Sequence, residues 1–187
     1  MPTIRVLLIS GSLRARSTNS SALRTVRSLA PQGVVLTFYE DMADLPHFNP
    51  DDDVEPLHPA VAALRSEIRR SDALLLSTPE YAGTLPGSFK NLLDWTIGDD
   101  HVGSINEKPV AWINASTRGA EGAHESLRQV LGYANAVIVE AACTRQPVTA
   151  AMVGPDGLVS SAEVRARIAE ALTTLVSNAA PDHLTDR

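Results

Sequence analysis

The stretch Ile9 to Asn19, Ile-Ser-Gly-Ser-Leu-Arg-Ala-Arg-Ser-Thr-Asn, concentrates groups able to hold an anion. Ser10, Ser12, Ser17, Thr18 and Asn19 supply hydroxyls and an amide, while Arg14 and Arg16 add full positive charges. An apolar run from Ile4 to Ile9 precedes this stretch. A helical pattern with Ala22, Leu23, Val26, Leu29 and Ala30 on one face follows it. A strand that passes through a polar loop into a helix start leaves the first N–H groups of the helix without partners, and the helix dipole adds about half a positive charge there. The chemistry implied is phosphate binding. The glycine-rich dinucleotide fingerprint is missing, since the loop has only Gly11, and so is the lysine of a triphosphate-binding loop. A single terminal phosphate suits the residues better than either.

A second polar break, Pro79-Glu80-Tyr81-Ala82-Gly83, offers an aromatic side chain and backbone groups freed by proline and glycine. A flat heteroaromatic wants polar partners at its edges and apolar contact on its faces. This loop can provide both. A third break, Ser116 to Gly122, is again polar and contains glycine. Glu80 is the candidate general acid beside these loops, and its type and place fit a carboxylate that anchors a helix or a dimer. His124 reads as a surface residue. No Ser/His/Asp or Cys/His constellation for nucleophilic catalysis is visible.

The elements that must carry these loops follow from hydrophobic patterning. Short aliphatic runs at Ile4–Ile9, Val34–Phe38, Ala73–Ser77, Pro109–Ala115 and Val137–Val139, the last resuming near Val148, read as strands covered on both faces. Helical stripes separate them: Leu57, Val61, Leu64 and Ile68; Phe89, Leu92, Leu93 and Ile97 after Pro86-Gly87; Leu127, Val130 and Leu131. A last stripe runs from Val164 to Val176, with Ser160 and Glu163 spaced as a capping box. Tyr39 to Pro56, with three prolines and Asp51-Asp52-Asp53, reads as a solvated surface excursion. This alternation predicts an α/β fold of three layers, an open five-stranded parallel sheet with helices on both faces, for which 2-1-3-4-5 is a common doubly wound order. Strands one, three and four are then neighbours, and the three polar loops converge at their carboxyl ends.

The 187 residues suit a single domain over 1–178 with a short tail at 179–187. A net charge of −6 argues against a nucleic-acid partner. One cysteine, Cys143, excludes an internal disulfide and a thiolate metal site, and the five histidines have no paired metal-ligand spacing. No run approaches the ~18 apolar residues of a membrane span, and the chain reads as cytoplasmic.

The motif Gly-Ser-Leu-Arg-x-x-Ser-x-Asn at Gly11–Asn19, together with Pro-Glu-Tyr-x-Gly-x-x-Pro-Gly-x-Phe-Lys-Asn-x-x-Asp-Trp at Pro79–Trp95, resembles the NADPH-dependent FMN reductase family over about Ile4 to Ala141. The resemblance implies a flavodoxin-like fold binding FMN. Its phosphate would sit among Ser10, Ser12, Arg14, Ser17, Thr18 and Asn19. Its ring system would lie against Pro79, Glu80, Tyr81, Ala82 and Gly83, and Ser116 would close the third side. It implies hydride transfer from NADPH or NADH through FMN to a small-molecule acceptor such as a flavin, quinone, azo compound or metal oxyanion. It also implies a homodimer or homotetramer, to which Trp95 could contribute. The competing expectation is a flavodoxin-like electron carrier that does not use NAD(P)H directly. Relatives often carry Asn where this chain has Ala82, and a glycine-richer loop where it has Ser116-Thr117-Arg118-Gly119-Ala120.

Overall fold

The computed structural model describes residues 3–179. Strand β1 (Ile4–Ser10) leads through the first polar loop into α1 (Thr18–Ser28), and β2 (Val34–Tyr39) follows. Next come α2 (Pro59–Arg69), β3 (Ala73–Ser77), α3 (Gly87–Ile97), β4 (Pro109–Asn114) and α4 (Glu121–Tyr133). The chain then forms β5 (Val137–Ile138), β6 (Thr144–Arg145) and α5 (Ala162–Ala179). The strands pair in parallel in the order β2-β1-β3-β4-β5, as the doubly wound pattern predicts. The expected tail beyond Ala179 lies outside the described residues.

Successive strand residues face opposite layers, so each buried strand feeds two cores. Leu7, Ile9, Leu74, Leu76, Val110 and Trp112 pack under α2, α3 and α4. Val6, Leu8, Leu75, Ala111 and Ile113 pack under α1 and α5. The central strands read as uninterrupted aliphatic runs for this reason. No helix among the described residues is long and apolar enough to cross a membrane.

Three expectations change. The fifth strand is interrupted: β5 and β6 both pair with β4, separated by one turn of 3-10 helix at Glu140–Ala142. Beyond β6 the chain stays on β4's line, since the amides of Gln146 and Val148 donate to the carbonyls of Asn114 and Ala115. The last helix is capped by Ser161 rather than Ser160. Ser161 Oγ accepts from the Val164 amide at 3.4 Å, whereas the Ser160 hydroxyl donates to the Met152 carbonyl. No capping box forms with Glu163. The 39–56 segment is only in part a solvated excursion: 49–52 and 54–56 are exposed, but Tyr39, Met42 and Leu45 are buried. The Pro46 carbonyl accepts from Trp95 Nε1 and Asn91 Nδ2, and Trp95 is only 1% exposed. Asp53 pairs with the buried Arg65 at 2.8 Å, whose Nε donates to the Trp95 carbonyl. Trp95 is thus a core residue that pins this segment down, not an interface residue.

Thr25, fully buried on α1, accepts from the amide of Val159, far away in sequence, at 2.8 Å. A buried amide left without an acceptor costs roughly 1–3 kcal/mol. Thr25→Val, which keeps the shape and removes the oxygen, is expected to lower the melting temperature by a few degrees, about 2–4 °C per kcal/mol for a chain of this size. An unchanged thermal transition would show that the bond contributes nothing.

Candidate functional site

Parallel pairing brings the carboxyl ends of β1, β3 and β4 side by side, with Ser10 opposite Ser77. The approach of the first two loops is close. The Gly11 amide donates to the Ser77 carbonyl at 2.8 Å, and a Cβ on residue 11 would lie 2.4 Å from Thr78 Oγ1 and 2.8 Å from the Phe89 ring. Only glycine fits there. Ser77 Oγ sits 2.9 Å from Asn19 Oδ1 and 2.7 Å from the Ile113 carbonyl, placing the start of α1 beside the ends of β3 and β4. Its single hydroxyl proton serves one of the two at a time.

In the first loop Ser17 caps α1, its oxygen accepting from the Ser20 amide at 3.3 Å. The amides of Thr18 and Asn19 have no partner among the described residues. Ser12 Oγ accepts from the Arg14 amide, leaving its own proton free to donate. Ser10 is placed differently. Its hydroxyl is 6% exposed, bonded to Ser20 Oγ at 2.8 Å, and turned under the loop.

The second loop is a tight turn. Tyr81 and Thr84 exchange two backbone bonds of 3.0 and 3.1 Å around Ala82 (φ 51°) and Gly83 (φ 77°). Two left-handed residues in succession define a type I′ turn. Ala82 carries a Cβ in that region, at a cost of roughly 1–2 kcal/mol. Helix α4 holds the turn in place. Glu80 Oε2 accepts from the Ala123 amide at 3.0 Å, Thr84 Oγ1 meets Ser126 Oγ at 2.8 Å, and Gly122 comes so close to Gly83 that its Cβ would overlap the Gly83 carbonyl. Glu80 is thus a helix anchor, as its surroundings in sequence suggest. Sequence reasoning missed Asn114, which shapes the third loop. Its Oδ1 accepts from the Ser116 amide at 3.0 Å while its Nδ2 donates to the Gly119 carbonyl.

Between the loops lies a cleft of about 290 Å³. Ser12, Arg14, Ser17, Thr18 and Asn19 line it from one side, Pro79, Glu80 and Tyr81 from the second, and Ser116 from the third. Thr117, Arg118 and Val148 join them. Ser10, Ala82 and Gly83 do not line it; Ala82 and Gly83 form the exposed tip of the turn. Arg14 and Arg118 have no carboxylate within ion-pair distance among the described residues. Unpaired guanidiniums, free amides at a helix start and hydroxyls form a donor set for a phosphate. The half-exposed Tyr81 ring adds an apolar face. A broader hollow of about 600 Å³ lies under Trp112, Arg128 and Cys143. There Arg128 is already paired with Glu140, and burial pushes the Cys143 thiol up to about 11, which leaves it inert.

His124 is not a surface residue. It is 9% exposed, with Nδ1 2.8 Å from the Ala120 carbonyl, so Nδ1 carries the proton; Nε2 is buried without a partner. Burial pushes its pKa down, partly opposed by the Ala120 bond and the nearby Glu80 charge.

A family model for the NADPH-dependent FMN reductases matches residues 4–146. An NAD(P)H-dependent FMN reductase of Pseudomonas aeruginosa is 39% identical over 132 residues, 70% of either chain. A quinone reductase of Escherichia coli is 31% identical over 144 residues, 73% of either chain. Among solved structures, the flavoenzyme NAD(P)H:(acceptor) oxidoreductase FerB of Paracoccus denitrificans superposes with a TM-score of 0.81 at 27% identity, covering 94% of this chain and 96% of its own. A flavodoxin of Pseudomonas aeruginosa shares the fold at 19% identity, with a TM-score of 0.55 over 91% of this chain and 99% of its own.

The unfolded imidazole of residue 124 takes up a proton near its ordinary value of 6.5, while the folded one stays neutral to lower pH. The stability this supplies is whole above that value and is lost as pH falls below it. Chemical denaturation between about pH 7 and pH 5 should therefore show stability falling in the native protein and falling less steeply in His124→Gln. Parallel curves would assign the pH dependence to another group.

Proposed function

The chain belongs to the NADPH-dependent FMN reductase family, and from that premise we propose that the cleft between the first, second and third loops seats FMN for electron transfer to a quinone or a free flavin. The protein is an oxidoreductase whose cofactors are FMN and NADPH or NADH. The observation that carries the site assignment is the set of donors left unpaired around the cleft: the Thr18 and Asn19 amides and the Arg14 guanidinium.

In this reading Arg14, Ser12, Ser17 and the start of α1 hold the phosphate, and Asn19 braces that end through Ser77. Pro79 to Tyr81 and Ser116 flank the ring system, with the Ala82 and Gly83 amides, unbonded among the described residues, at its rim. Ser10 supports the loop from beneath. When bound, FMN would supply the redox chemistry, two-electron transfer between NAD(P)H and the acceptor. The protein binds, orients and leaves one face open. The exposed Tyr81 borders that open side and suits a flat acceptor. The named relatives' quinone and flavin activities support these acceptors, and azo compounds and metal oxyanions compete for the same face. The free, half-buried Cys143 fits a reducing, cytoplasmic setting.

Self-association is part of the reading. Ile97, Val102 and Tyr133 are 50, 99 and 82% exposed, large apolar groups at and just beyond the ends of α3 and α4. A homodimer or homotetramer would cover them. Light scattering at micromolar concentration is expected to give a dimer or tetramer mass; a monomer removes this part.

Anaerobic NADPH is expected to bleach the flavin absorbance of the FMN-loaded protein, and a quinone should restore it. A loaded protein that NADPH leaves yellow would be an electron carrier instead. Arg14→Ala removes one charge-assisted phosphate contact, worth roughly 1.5–3 kcal/mol, and should weaken FMN binding by about tenfold or more. Unchanged FMN affinity by fluorescence quenching would sink the phosphate assignment.

A further inference from the structure

Behind the cleft, α1 and a hairpin that sequence patterning does not reveal enclose a groove of about 540 Å³. The hairpin is rigidly built. Val153 and Val159 form an antiparallel bridge, the Gly154 amide donates to the Leu158 carbonyl at 2.9 Å, and Gly157 takes φ 77° at the turn. The Thr25–Val159 bond fixes the hairpin to α1. On the helix side Thr18, Ser21 and Arg24 recur every three residues and so share one face, and Arg16 joins them from the preceding loop. Val153 and Pro155 form an apolar wall opposite.

The charge of this groove is uncompensated. Neither Arg16 nor Arg24 has a carboxylate within ion-pair distance among the described residues. The Arg24 guanidinium lies 5.5 Å from the Phe38 ring centroid, a contact that orients it without neutralising it. Ser21 is only 4% exposed, yet its hydroxyl has no hydrogen-bond partner among the described residues and it faces the groove. Two free guanidiniums and hydroxyls make a site for a phosphate dianion, and the Val153–Pro155 wall offers contact to a ring. Thr18 borders both this groove and the cleft, so the two adjoin across the start of α1.

NADPH differs from NADH by one phosphate monoester, on the adenosine ribose. We propose that the α1–hairpin groove receives the 2′-phosphoadenosine end of NADPH, with Arg16 and Arg24 holding the 2′-phosphate. This rests on the reading that the adjoining cleft holds FMN.

The test is calorimetric titration of the FMN-loaded protein with adenosine 2′,5′-bisphosphate, adenosine 5′-diphosphate and inorganic phosphate, with flavin content read by absorbance before each run. The bisphosphate is expected to bind about tenfold or more tightly than the diphosphate. The double variant Arg16→Ala/Arg24→Ala should lose that preference and keep its FMN. Arg16→Lys/Arg24→Lys should retain part of it. Equal affinity for the two nucleotides overturns the proposal while leaving the flavin site standing. Inorganic phosphate binding as tightly as the bisphosphate overturns it in favour of a general anion site. Loss of FMN from the alanine variant overturns it by assigning these arginines to the flavin phosphate. A wild-type protein that takes up no FMN overturns the cleft reading and this one with it.

Discussion

The site depends on how closely β1 and β3 approach as they leave the sheet. Their pairing runs on past the last strand residues into the bond from the Gly11 amide to the Ser77 carbonyl, and at that point no side chain fits on residue 11. The constraint is steric, but its consequence is chemical. It sets the first turn of α1, with its unpaired amides, directly beside the Pro79 turn. A bulkier residue 11 would separate the two loops and leave two half-sites. The parallel sheet makes this possible because all its carboxyl ends lie along one edge. The apolar layers on either side, built from alternating residues of the same strands, fix where that edge falls.

Charge follows a division of labour across the molecule. Where ion pairs are made, they fasten structure: Asp53 to Arg65 under the 39–56 segment, Asp99 to Arg69 between the ends of α2 and α3. Asp99 is almost fully buried, held there by the Arg69 guanidinium on both its oxygens and by the His101 amide. Around the cleft and the groove behind it, Arg14, Arg16, Arg24 and Arg118 are left without carboxylates. In a chain whose net charge is −6, this local positive field reflects placement rather than composition.

Much of this was legible in the sequence. The buried strands announce themselves as short aliphatic runs because both their faces are covered. The layered parallel sheet follows from alternation, its strand order from the family resemblance, and the first and second loops are visible as polar breaks after strands. What was hidden lies in contacts distant along the chain. Nothing near Ser160 reveals that its hydroxyl is taken by Met152, so that capping passes to Ser161. Asp53 looks as solvated as Asp51 and Asp52 until Arg65, bonded to the Trp95 carbonyl, is known to lie beneath it. His124 looks polar and exposed because its burial comes from Trp112 and the third loop. The hairpin at Val153–Val159 is too short and too irregular to show a period, and Thr25 positions it from more than a hundred residues away.

The second loop shows how the site gets its rigidity. A two-residue turn with Ala82 in the left-handed region is not one the backbone would choose alone, since alanine disfavours that conformation. The turn persists because α4 holds it from three directions: the Glu80 carboxylate on the Ala123 amide, Thr84 on Ser126, and Gly122 pressed against Gly83. Each contact also completes α4. Glu80 supplies the cap that Ala120 cannot, because a methyl group has no acceptor. Helix and turn therefore stabilise each other, and the acid that lines the cleft among the described residues, Glu80, is consumed in joining them. A cofactor seated there needs a firm edge more than it needs a proton donor, and the structure commits its carboxylate to the edge.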